Sequence, residues 1–68
     1  MPMQIYLNGE PRALDAAQTI TGLLVASGLN GRKVAVEVNG EVVPRSQHES
    51  RFLAEGDRIE IIQAIGGG

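Results

Sequence analysis

The 68-residue chain has no cysteine and no tryptophan. Without cysteine there is no disulfide framework, no CxxC redox pair and no thiolate metal site. Small secreted domains usually rely on disulfides, so their absence fits an intracellular, cytoplasmic setting. Aromatic residues are nearly missing as well: Tyr6 and Phe52 are the only two. Any core must therefore be aliphatic, and there are no rows of aromatics on which nucleobases could stack. Basic residues do not dominate either. Six Lys and Arg stand against eight Asp and Glu, giving a net charge of −2. A nucleic-acid partner, which calls for a basic surface, is not expected. No apolar run approaches the roughly 20 residues of a membrane span. The opening Met1-Pro2-Met3-Gln4 has no basic stretch followed by an apolar one, so no signal peptide is expected.

What remains is aliphatic and patterned. Hydrophobic residues make up 43% of the chain, enough for one small core. Residues 3–7 (MQIYL) alternate, with Met3, Ile5 and Leu7 on one face and Gln4 and Tyr6 on the other. Asn8-Gly9 then signals a type I′ hairpin turn, and 10–14 (EPRAL) is the return strand. Pro11 offers no amide hydrogen to a ladder, which predicts an edge position for that strand. Thr19 is a candidate N-cap for a helix over 20–27, with Ile20, Leu23 and Leu24 on one face and Gly28 beyond the end. Gly22 lies inside that helix, where close packing on a sheet would give it a purpose. Residues 34–38 (VAVEV) alternate again, Asn39-Gly40 repeats the hairpin signal, and Pro44 follows the short return strand 41–43. The likeness of LNGEP to VNGEV is too short for a repeat and reflects shared turn chemistry.

Residues 45–51 are polar and predict a loop with a helical turn. Phe52 and Leu53 are expected to close the bottom of the core. Residues 55–57 form a turn, and 58–63 (RIEIIQ) form the last strand, with Ile59 and Ile61 inward and Arg58, Glu60 and Ile62 outward. The order β-β-α-β-β-β predicts an α+β domain over 1–63. One helix covers one face of a mixed five-stranded sheet, and the first and last strands lie side by side near its centre.

Conventional catalytic chemistry is scarce. His48 is the only histidine, and its polar neighbours suggest a solvated surface residue. Metal sites want clusters of His, Cys or carboxylates, so none is expected. Ser46, Ser50 and Thr21 have no evident base partner, so no Ser-His-Asp arrangement can be argued. Glu49, Glu55 and Asp57 read as solubilising charges in loops. The glycines 66–68 do not form a phosphate loop, because no strand-to-helix turn follows them. The unusual feature is the segment 64–68, AIGGG, which adjoins the last strand directly. Its three glycines lack side chains and can thread a narrow channel, and 64–68 can reach up to about 17 Å from the domain. A mobile tail is expected, carrying the α-carboxylate of Gly68 at its tip. That carboxylate is a poor electrophile until a partner with ATP turns it into an acyl-adenylate. Tyr6 and Ile62, both expected on the sheet face away from the helix, form a candidate apolar docking spot near the tail.

This element order with a terminal Gly-Gly resembles the ubiquitin-like β-grasp sulfur carriers, and among them the ThiS family of thiamine biosynthesis. The resemblance runs over nearly the whole chain: MQIYLNGE, TITGLL, VAVEVNGEVVPR and, most specifically, EGDRIEIIQAIGGG. It implies a carrier rather than an enzyme, with no bound cofactor. An adenylating enzyme of the ThiF type would use ATP to activate the carboxyl of Gly68. Sulfur from cysteine, passed on through a desulfurase persulfide, would then displace AMP and leave a thiocarboxylate. A thiazole synthase of the ThiG type would take that sulfur. Gly67 and Gly68 match the family's diglycine, Gly66 extends it by one, and Ala64 and Ile65 correspond to the tail entering the partner. Molybdopterin synthase small subunits are the nearest alternative. They tend to be longer, with proline and aromatics before the diglycine, where this chain has IIQAI. A ubiquitin-like protein modifier and an inert β-grasp module are further alternatives; Lys33, the only lysine, gives branched self-conjugation little support.

Overall fold

The computed structural model describes residues 2–63. Strand β1 (Met3–Leu7) turns through Asn8-Gly9 into β2 (Glu10–Leu14). Helix α1 (Ile20–Ala26) follows, then β3 (Val34–Val38), β4 (Glu41–Val43), a 3₁₀ turn at Arg45–Gln47 and β5 (Arg58–Gln63). The sheet order is β2-β1-β5-β3-β4. The last strand therefore lies at the centre, parallel to β1 and antiparallel to β3. The other pairs are hairpins, so the sheet is mixed, as the pattern predicts. Pro11 sits on edge strand β2, opposite Tyr6, where its missing N–H can face solvent.

Local chemistry explains the elements. Asn8 and Gly9 have φ of 50° and 86°, and Asn39 and Gly40 have 53° and 86°. Both pairs occupy the left-handed region that a type I′ turn requires. Thr19 caps α1, its Oγ1 accepting the N–H of Gly22 at 3.1 Å. Gly28, at φ 74°, follows the C-cap Ser27. A Cβ built on Gly22 would meet only Gln18 and Thr19, the nearest atoms at 3.6 Å. No close approach to the sheet requires this glycine.

The core lies between α1 and one sheet face. Ile5, Leu14, Ile20, Leu23, Leu24, Val36, Val38, Val43, Leu53 and Ile59 are buried there, all aliphatic. Phe52 corrects the sequence reading, since it is 61% exposed while Leu53 is buried. The stretch 51–53 is held extended against the start of α1. Thr19 and Phe52 form a β-bridge, the N–H of Leu53 donates to Gln18 O at 2.8 Å, and that of Ile20 donates to Arg51 O at 3.1 Å. Extended neighbours point to opposite sides, so only one of the two can face the core.

His48 is a second correction, being buried at 5% exposure. The 3₁₀ turn brings the ring back towards β4, and Nε2 lies 3.0 Å from the carbonyl of Val43. A carbonyl only accepts, so Nε2 carries the hydrogen. The polar neighbours of His48 in sequence stay exposed while its imidazole is buried.

Candidate functional site

The region that matters is the end of β5, where the chain enters 64–68. Being central, β5 is held from both sides. The N–H of Tyr6 donates to Asp57 O at 2.9 Å, and that of Asn8 donates to Ile59 O at 2.8 Å. On the other side Asn39 N–H donates to Arg58 O at 2.8 Å. The two turn asparagines add side-chain clamps. Asn8 Oδ1 accepts from Ile61 N–H and Asn39 Oδ1 accepts from Arg58 N–H, both at 2.9 Å. The strand preceding the tail thus has a fixed direction relative to the body. Past Ile61 its pairing among the described residues is with β3 alone, Ala35 facing Ile62 and Val34 facing Gln63.

Asp57 anchors the start of the strand, and this also corrects its reading as a solubilising charge. It is only 9% exposed. Its Oδ2 accepts from Ala54 N–H at 2.8 Å and its Oδ1 from Asn39 Nδ2 at 3.0 Å. Glu55 is engaged as well, since its Oε1 accepts from Gln4 N–H at 2.9 Å. Glu49 is exposed. The signal that could have marked Asp57 is its place after a turn glycine and before a strand, where a short carboxylate readily accepts backbone N–H groups.

Tyr6 and Ile62 do lie on the open sheet face, 38% and 53% exposed. They do not form one spot. Tyr6 stands beside Arg58 in the parallel register, so Ile62 lies four residues further along β5. At about 3.3 Å per residue that is about 13 Å. Ile62 instead joins Ala35 and Val34 in a shallow hollow of 380 Å³, with Lys33, Arg45 and Gln63. Sequence reasoning missed Lys33, Val34, Ala35 and Arg45, because the β3–β5 register brings the start of β3 to Ile62 and the 3₁₀ turn after β4 brings Arg45.

A second cavity, of 320 Å³, is lined by Thr21, Ser46, His48 and Glu49 among others. Nucleophilic catalysis there would need a hydroxyl bonded to a base. The His48 ring bonds to Val43 O instead, and no hydrogen bond joins it to the hydroxyl of Thr21 or Ser46. No group of three or more His, Cys, Asp or Glu residues able to hold a metal ion occurs among the described residues. None of the described helices is long and apolar enough to cross a membrane. Ala64, Ile65, Gly66, Gly67 and Gly68, the tail positions singled out in the sequence, lie outside the described residues.

Comparison with known proteins points in one direction. The sequence model of the ThiS family matches residues 5–68. A protein from Magnetococcus marinus named thiazole synthase is 47% identical over 66 residues, covering 97% of this chain and 20% of the relative. This chain therefore spans a fifth of the length of that relative. The sulfur carrier protein ThiS of Escherichia coli is 33% identical over 66 residues, covering 97% of this chain and 100% of that one. Among solved structures, the crystal structure of a thiamine biosynthesis protein (ThiS) from Geobacter metallireducens superposes with a TM-score of 0.83. It shares 33% identity and covers 97% of this chain and 100% of the other.

Proposed function

This chain belongs to the ThiS family, and from that premise we propose that it is a sulfur carrier of thiamine biosynthesis, loaded on the carboxyl of Gly68. The carrier is a co-substrate and not a catalyst. A ThiF-type enzyme adenylates the Gly68 carboxylate with ATP, releasing pyrophosphate. The terminal sulfur of a persulfide, formed from cysteine by a desulfurase, attacks the acyl carbon as the bond to AMP breaks. A thiol then splits the resulting disulfide and leaves the thiocarboxylate. The carrier binds no cofactor of its own, and the ATP belongs to the activating enzyme. A thiazole synthase of the ThiG type receives the sulfur. The cycle is assigned to the cytoplasm in this reading, where the activating partner has ATP.

The observation that supports this reading most is the central position of β5, clamped by Asn8 and Asn39 immediately before 64–68. Such a body gives two partner enzymes a rigid handle from which Ala64, Ile65, Gly66 and Gly67 extend towards a deep active site. Ile62, exposed at the root of this segment, docks those partners in this reading, and Tyr6 belongs to a separate part of the same face.

The test is mass spectrometry of the full chain after incubation with a ThiF-type enzyme, ATP, cysteine and a desulfurase. The expected result is one oxygen replaced by sulfur at Gly68, located by fragmentation. The chemistry requires a free carboxylate on Gly68, which the starting spectrum reads directly. An unchanged mass, with the same enzymes active on a known carrier, would refute the reading. Attachment to lysines of other proteins would show a modifier instead.

A further inference from the structure

The open sheet face is electrically uneven. Its middle carries Glu37 directly opposite Glu60 across β3 and β5, with Arg58 two residues before Glu60 on the same face. Like charges facing each other in a sheet cost stability and call for an explanation. The end nearest the tail has the opposite sign. Lys33 and Arg45, two of the six cations in a chain of net charge −2, lie at this end, while Arg32 lies on the helix side, in a cavity shared with Thr21 and Leu24. Lys33 and Arg45 border the hollow whose apolar lining is Val34, Ala35 and Ile62. Arg45 also reaches the neighbouring cavity, together with Arg32. Its hydrogen bond there goes to a backbone carbonyl, Arg32 O at 3.4 Å, and not to a carboxylate.

We infer that this hollow is a docking site for an acidic segment of the thiazole synthase, one that presents carboxylates beside one or two apolar side chains. The inference rests on the sulfur-carrier reading above. Charge complementarity argues for the occupant. An apolar surface bordered by two exposed cations favours an apolar side chain flanked by carboxylates. The acidic pair next along the face repels the same segment if it shifts by one same-face pair, with Arg58 lying beyond that pair. Opposed charges along one face fix register more than they add affinity. Register is what a tail-delivering surface needs, because the hollow lies at residues 62–63 and any shift there moves everything beyond. The synthase is favoured as the partner by two relatives named thiazole synthase. They are 44% and 47% identical to this chain, which equals a fifth of their length, so such a domain occurs within a protein of that name.

The test measures binding of the purified full chain to a thiazole synthase by fluorescence anisotropy, at low and at high salt. Lys33→Glu is the primary variant, because Lys33 is exposed. Arg45→Glu is added to it, and Arg51→Glu, an exposed cation outside the hollow, controls for net charge. Thermal melts establish that each variant is folded. The double variant should bind about tenfold or more weakly, and wild-type binding should weaken with salt. Arg51→Glu should bind as wild type does. Equal affinity of the double variant and wild type overturns the inference, as does a wild-type chain that fails to bind the synthase. Sulfur loading of the same preparations is read by mass, so a failed docking site is distinguished from a failed carrier.

Discussion

Leu7 faces Glu10 across Asn8-Gly9 in the first hairpin, and Val38 faces Glu41 across Asn39-Gly40 in the second. The φ angles at the two turns agree within a few degrees. Yet the turns do different work. Asn8 offers its side-chain oxygen to Ile61. Asn39 does the same for Arg58 and also donates its amide to the nearly buried carboxylate of Asp57. The first turn clamps the middle of β5, and the second fixes its start together with the loop before it. Identical local chemistry acquires distinct roles from what stands opposite in the sheet. In both cases the neighbour is the strand that carries the tail.

The comparison can be broken most forcefully at Asp57. Replacing it by Ala strips the acceptor from Ala54 N–H and from Asn39 Nδ2. Urea unfolding should show about 3 kcal/mol of stability lost, since donors left unpaired near a core are costly. Next, Asn39→Asp sets one carboxylate against another and should cost about 2 kcal/mol. Asn8→Asp keeps its acceptor and should stay within about 0.5 kcal/mol of wild type. Equal effects of these two changes would sink the claimed asymmetry. Gly9→Ala and Gly40→Ala probe what the turns share. Space is free at both positions, so only the positive φ is penalised. Each should cost about 1.5 kcal/mol, with matching midpoint shifts. The one gain is expected outside both hairpins, where Gly22→Ala should add about 0.8 kcal/mol. A loss there would reveal a packing role that the 3.6 Å contacts do not suggest.

Much of the body was legible because short-range chemistry decides it. Alternation in MQIYL, VAVEV and RIEIIQ, two Asn-Gly turns and the Thr19 cap placed each element to within a residue or so. Pro11 marked an edge. The misreadings fall where a residue's environment comes from elsewhere in the chain. His48 looked solvated because its sequence neighbours are polar, but a 3₁₀ turn carries its ring to Val43. Phe52 and Leu53 are both apolar, but an extended stretch admits only one of them to the core. Tyr6 and Ile62 were assigned to one face correctly and to one spot wrongly, because period two determines the face and says nothing about register.

By itself the sequence determined the elements, their turns, the inward and outward sides and the family resemblance carried by EGDRIEIIQAIGGG. These follow from backbone preferences and from side-chain periodicity, which act over a few residues. Only the tertiary structure decided that Asn8 and Asn39 converge on β5, that Asp57 is an anchor, and that Lys33 and Arg45 meet Ile62 at the root of the tail. Those contacts join residues separated by 17 to 53 positions in sequence. No local preference encodes such pairings. They exist because a parallel pair and an antiparallel pair close on one central strand, and the registers of those two pairs set which distant side chains become neighbours.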